Sequence, residues 1–127
     1  KDNPKLGHIS TFAGHPVIAA AGYATVTEIL DQNLLAESLR KEQIIRAYLT
    51  HPAIQEIRGK GLMLAAIVDT PALATQIIHA CLDNGLILFF LLFEGRAMRI
   101  SPPLTISDDE LIQGCKIIVK SICQVLK

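Results

Sequence analysis

The sequence predicts an α+β fold, a small antiparallel sheet covered on one face by helices. Three observations lead there. Apolar residues recur at helical spacing in separated stretches. Short strand-like runs come in pairs joined by a few turn residues, which implies antiparallel ladders. Helix start and stop signals order these pieces as α-α-β-β-α-β-β-α.

Each element has its own reason. Pro16 suits the first turn of a helix, where a missing N–H costs nothing. The stretch behind it, "PVIAAAGYATVTEIL", is rich in small side chains that let another backbone approach closely. Asn33 is a candidate cap for a second helix, "LLAESLRKEQIIRAYL", with Leu35, Leu39, Ile45 and Leu49 near helical spacing. His51-Pro52 stops it. In "AIQEIRGKGLMLAAIV" two strand-like runs flank Gly59-Lys60-Gly61, a hairpin connection or bulge. The run Leu62 to Val68 is almost wholly apolar, so both its faces are expected to be covered. Thr70-Pro71 opens a third helix, and Asp83-Asn84-Gly85 closes it with a C-cap glycine. "LILFFLLF", 86 to 93, reads as a strand, "EGRA" as a turn and "MRIS" as the returning strand, ended by Pro102-Pro103. Ser107 and Glu110 form a capping box for a last helix reaching about Val125.

Composition narrows the function. The chain has 127 residues, one domain's worth, half of them apolar, with mean hydropathy +0.39. That is ample for a core and suggests apolar surface made to face something else. Lys plus Arg is 12 and Asp plus Glu is 12, and aromatics are 5%. With no basic cluster and few aromatics, nucleic-acid binding is excluded. The longest apolar run is too short for a membrane helix. Cys81, Cys115 and Cys123 lack paired spacing and sit in apolar, helix-like settings, so buried free thiols and a reducing cytoplasm are expected. No signal peptide is evident, and the opening "KDNPKLG" reads as the start of an excised piece.

Three stretches could carry chemistry. In "GHISTFAGHP", Ser10 and Thr11 offer hydroxyls just ahead of a helix, where backbone N–H groups favour a phosphate or carboxylate. The structural alternative is that they cap the helix. Arg99 in "AMRISPPL" alternates with Met98 and Ile100, so its planar fork points away from their face and could hold a carboxylate. A structurally paired arginine is the alternative. "IRGKGLM" contains a special turn, and Arg58 beside it is a candidate ion-pair partner. His8, His15, His51 and His79 have no metal-ligand spacing.

In this order, "STFAGHPVIAAA", "IRGKGLM" and "MRISPPLTIS" followed by a final helix resemble the C-terminal part of class III aminotransferases. These are pyridoxal-phosphate enzymes of fold type I, including the acetylornithine, ornithine and 4-aminobutyrate aminotransferases. The resemblance covers nearly the whole chain. The family wording is close to "STFGGNP", "RGxGLM" and "R-x-x-PPL"; here Ala13 replaces a glycine and His15 an asparagine. The resemblance implies that Thr11, with Ser10 beside it, binds the cofactor phosphate of a neighbouring subunit. It implies that Arg99 grips a substrate carboxylate.

It also implies an absence. The family's Schiff-base lysine lies upstream of the "STFGGNP" stretch, and neither Lys1, Lys5 nor Lys60 has its surroundings. The expectation is a small C-terminal domain over 16–127, with its leading helix, and a lead-in over 1–15 from a large catalytic domain. Its partners would be that large domain, a homodimer mate, and small amino-acid and 2-oxo-acid substrates, with no nucleic acid or membrane. The stretch alone would be inactive. The alternative is a free-standing α+β module that binds a small molecule or a protein without catalysis.

Overall fold

A computed structural model of the protein describes residues 10–127. Lys1, Lys5 and His8 lie outside the described residues. The chain divides into two compact units between Asn33 and Leu34.

The first unit holds a turn over 11–14 and helix α1, Pro16–Asp31, with Pro16 in its first turn as expected. None of its helical residues is buried, and Val17, Ile18, Tyr23, Val26 and Leu30 are each more than half exposed. Asn33 does not cap the following helix. It adopts the left-handed region at φ 50°, its N–H donates to the Leu30 carbonyl at 3.1 Å, and among the described residues its side chain makes no hydrogen bond.

The second unit contains α2 (Leu34–Tyr48), β1 (Glu56–Lys60), β2 (Met63–Ile67), α3 (Pro71–Asp83), β3 (Phe89–Phe90), β4 (Ala97–Ile100) and α4 (Asp108–Val125). Its strands form one sheet in the order β1-β2-β4-β3, every neighbouring pair antiparallel. The α+β fold with a small helix-covered sheet is therefore what the chain adopts. One sheet face presents Leu64, Ala66, Met98 and Ile100 to the helices, with Ala66 and Met98 fully buried. Ile45 from α2, Ile77 and Cys81 from α3, and Leu111, Cys115, Ile118 and Ile122 from α4 complete this core. The helix ends follow local chemistry. Thr70 accepts the Leu73 N–H, and Ser107 and Glu110 form the reciprocal capping box. Asn84 closes α3, and Gly85 follows at φ 85°.

Three expectations are corrected. The run 86–93 is not a full strand, since only Phe89 and Phe90 pair with β4. At the Leu86 end the partner runs out, because beyond Ile100 come Pro102 and Pro103, which have no N–H for a ladder; at the other end the chain turns back into β4, the Ala97 N–H donating to the Glu94 carbonyl at 3.1 Å. Ile87, Leu92 and Phe93 are exposed. Cys81 and Cys115 are buried free thiols, but Cys123 is exposed: it lies off the buried line of Leu111, Cys115, Ile118 and Ile122 on α4, and its sulfur meets His51 Nε2 at 3.6 Å. Both faces of β2 are covered except at Met63, which is 78% exposed beside the hairpin turn.

Candidate functional site

The region around Arg99 is built from α2 outward. Helix α2 carries a polar cluster that fixes two loops. The Glu42 carboxylate accepts the Gly61 N–H at 2.6 Å and the Arg46 Nε–H at 2.9 Å. Arg46 in turn donates to the Ile57 carbonyl at 2.9 Å and the Gly59 carbonyl at 3.3 Å. These contacts lock the β1–β2 hairpin to the helix. They also hold the Glu42 carboxyl below the usual glutamate range, the Gly61 N–H being the larger cause and Arg46 the next. The glycines are required. Gly59 has φ 111°, and a Cβ there would overlap the Met63 carbonyl oxygen.

The other half of the cluster holds the segment after β4. The buried Lys41 ammonium donates to the Leu104 carbonyl at 3.0 Å. Arg40 bridges both Asp108 oxygens at 2.8 Å each and reaches Glu37, which depresses the Asp108 carboxyl through the Arg40 hydrogen bonds. So one helix turn anchors both the glycine hairpin and the Pro102-Pro103 loop. The apolar spacing of α2 alone does not point to these residues. The dense "RKE" followed by Arg46 was the available signal.

Arg99 lies on the sheet face opposite the helices, as alternation required. Met98 and Ile100 are buried and Arg99 is exposed. Strand register aligns Phe89, Arg99, Ala65 and Arg58 in one row across this face. The two arginines differ. Arg58 pairs with Glu56 at 2.8 Å and reaches Glu94 at 3.8 Å, so it is the structural ion-pair partner its surroundings suggested. Glu94 is gripped chiefly by Arg96, whose hydrogen bonds hold its carboxyl below the usual glutamate range, with a smaller contribution from Arg58. Among the described residues Arg99 has no ion pair and no hydrogen-bond partner, so its fork is uncommitted.

Ser10 and Thr11 belong to the first unit. The Ala13 N–H donates to the Ser10 carbonyl at 3.1 Å and the His15 N–H to the Phe12 carbonyl at 3.2 Å, making a tight turn with Gly14 at φ 73°. His15 is the N-cap of α1, yet its side chain makes no capping bond; only its carbonyl takes part, accepting the Ala19 N–H at 2.9 Å. Among the described residues neither the Ser10 nor the Thr11 hydroxyl bonds the helix start. Two exposed hydroxyls and a helix start lacking a side-chain cap fit an anionic group such as a phosphate.

Other chemistry is sparse. Among the described residues no three His, Cys, Asp or Glu side chains are placed to hold a metal ion. No described helix is long and apolar enough to cross a membrane. Burial pushes the Cys115 thiol up to about 11.

Comparisons with known proteins bear on this geometry. The family model for aminotransferase class-III matches residues 2–122. An acetylornithine aminotransferase of Corynebacterium efficiens is 38% identical over 105 residues, 82% of this chain and 25% of that one. One from Bifidobacterium longum is 35% identical over 114 residues, 87% of this chain and 26% of that one. Among solved structures, an ornithine aminotransferase from Toxoplasma gondii superposes with a TM-score of 0.83 at 33% identity, over 96% of this chain and 30% of that one. An acetylornithine aminotransferase from Elizabethkingia anophelis gives 0.83 at 30% identity, over 96% of this chain and 33% of that one. The chain spans about a quarter of the length of the curated relatives it matches.

Proposed function

We propose a function from one premise: the chain belongs to the class-III aminotransferase family. On this reading it forms part of an enzyme that moves an amino group from an amino acid or ω-amine to a 2-oxo acid such as 2-oxoglutarate. Donors of the acetylornithine, ornithine or 4-aminobutyrate type suit it. The observation that carries the reading is Arg99, an uncommitted guanidinium on the sheet face away from the core.

Each residue then has a task. Arg99 offers two parallel N–H donors to a substrate carboxylate and fixes the orientation of the amine carried by the same molecule. Arg58 stays paired with Glu56 and Glu94, which leaves Arg99 as the free cation of its row. Helix α2 holds the hairpin and the loop on either side through Glu42, Arg46, Arg40 and Lys41. Thr11, with Ser10, would hold the phosphate of pyridoxal phosphate, in keeping with the exposed hydroxyls before α1. That cofactor, when bound, supplies the electron sink for breaking the carbon–nitrogen bond. The Schiff-base lysine is assigned outside this chain. Lys41 is buried and bonded to a carbonyl, while Lys60, Lys116, Lys120 and Lys127 are exposed. A large catalytic domain, a homodimer mate sharing the cofactor site and a cytoplasmic setting belong to the same reading.

The test is Arg99→Lys in the full-length enzyme. A lysine cannot reproduce the fork. The substitution is expected to lower kcat/KM by roughly 10²-fold for donors bound through a carboxylate, equivalent to ~3 kcal/mol of transition-state binding. A donor amine without a carboxylate should lose far less. Equal losses for both, with normal cofactor content and melting temperature, would remove Arg99 from this role.

A further inference from the structure

One side chain ties the end of α3 to α4. Asn84 closes α3, and its amide is engaged on both sides. Nδ2 donates to the Ala80 carbonyl at 2.7 Å and to Gln124 Oε1 at 2.9 Å, with the buried Ser121 hydroxyl at 3.4 Å. Oδ1 accepts from the Lys120 ammonium at 2.8 Å. These partners fix which way the amide points, because an ammonium can meet only its oxygen and a carbonyl only its nitrogen. Lys120, Gln124 and Ser121 of α4 thus form a clasp around the last residue of α3.

The next residue is Gly85. An Asn-Gly pair is open to a spontaneous reaction, because glycine has no side chain to shield its own nitrogen. The Gly85 backbone nitrogen attacks the Asn84 amide carbon, Cγ. A new C–N bond forms, the Cγ–Nδ2 bond breaks, and the proton lost by the Gly85 nitrogen leaves with Nδ2 as ammonia. The cyclic imide then takes up one water and opens to aspartate or isoaspartate. No oxidant or reductant is needed.

In the folded chain each participant is held out of reach. The Gly85 N–H is committed to the Leu82 carbonyl at 2.9 Å. With Asn84 at φ −90° and ψ 9°, the Gly85 nitrogen lies near the Asn84 nitrogen rather than swung towards Cβ and the side chain. The clasp holds the leaving group and the carbonyl oxygen. Only water is free to enter, since a Cβ on Gly85 would meet nothing within 4 Å. The reaction would also destroy what restrains it. A carboxylate at position 84 has no N–H for the Ala80 carbonyl or for Gln124 Oε1, and those buried acceptors lose their donor.

We propose that Asn84–Gly85 is a modification site gated by the α3–α4 clasp. Lys120 and Gln124 keep the pair unreacted. An opening of the α3 end lets Asn84 convert to aspartate or isoaspartate, after which the clasp cannot re-form as it was.

The test follows position 84 by peptide mass mapping while the 127-residue chain stands in mildly alkaline buffer. Asn84 should convert roughly tenfold or more slowly in the folded chain than in the same chain unfolded in urea. Lys120→Met and Gln124→Ala each remove one partner of the amide and should speed conversion in the folded chain severalfold. Thr70→Ala removes the cap at the other end of α3, so it lowers stability without touching the clasp and should leave the rate as it was. Asn84→Asp reproduces one product and should lower the melting temperature. Conversion as fast in the folded chain as in urea overturns the proposal. Clasp variants that convert no faster than the parent chain do the same. So does a Thr70→Ala chain that converts as fast as they do, because global unfolding would then set the rate. An Asn84→Asp chain as stable as the parent also overturns it, because the clasp would then survive the reaction.

Discussion

Thr11 separates two readings of the same turn. If its hydroxyl holds a cofactor phosphate, Thr11→Ala removes one hydrogen bond to a charged group, about 1.5–3 kcal/mol. Cofactor titrated into the full-length apoenzyme should then bind roughly tenfold to a hundredfold more weakly, with little change in melting temperature. A helix cap would give the reverse, a lower melting temperature and unchanged cofactor affinity. The geometry favours the first outcome, because His15 occupies the cap position and Thr11 bonds nothing at the start of α1 among the described residues. At this scale the sequence was informative about direction. Strand alternation placed Arg99 opposite Met98 and Ile100, and that is where it lies. It was less informative about ends. Cys123 was expected in the core from its apolar neighbours, but it sits beside the buried Ile122 on a side of α4 turned away from the core.

Helices α2, α3 and α4 and the hairpin were legible because their signals are local: spacing, proline starts, a capping box, a glycine turn. What joins them was not. The contacts of Glu42 to Gly61 and of Arg40 to Asp108 cross 19 and 68 positions, and no local pattern reports a distant partner. The run 86–93 failed for a related reason. A strand needs a partner of equal length, and here the partner is cut short at one end by Pro102 and Pro103 on another segment and at the other by the turn that closes from Ala97 to Glu94. The long-range carboxylate contacts have a measurable consequence. Glu42 and Asp108 are held below their ordinary values in the folded chain. Their contribution is therefore present above the unfolded values and is lost as pH falls through the folded ones. Thermal stability should be flat near neutrality and decline below about pH 4.5, the ordinary glutamate value. Glu42→Gln should lower stability at pH 7 and flatten that acid limb. An acid limb identical to that of the unsubstituted chain would show that the Glu42–Gly61 contact does not stabilise the fold.

At the scale of the molecule, each unit carries apolar surface that no described residue covers. Tyr23 and Leu30 on α1 stand exposed, as do Phe89, Phe90, Leu92 and Phe93 beside β4. The high mean hydropathy anticipated this, and a chain that spans about a quarter of its relatives gives it a reason. On the function proposed above, the whole enzyme would pass an amino group from donor to 2-oxo acid in two separate half-reactions. The most direct measurement follows one of them. Purified full-length enzyme, loaded with pyridoxal phosphate, is mixed with an excess of acetylornithine, ornithine or 4-aminobutyrate and no acceptor, and the deaminated product is counted. About one equivalent of product per subunit is expected from at least one donor, then arrest, with turnover resuming when 2-oxoglutarate is added. No product from any of these donors, or steady turnover without an acceptor, would contradict it.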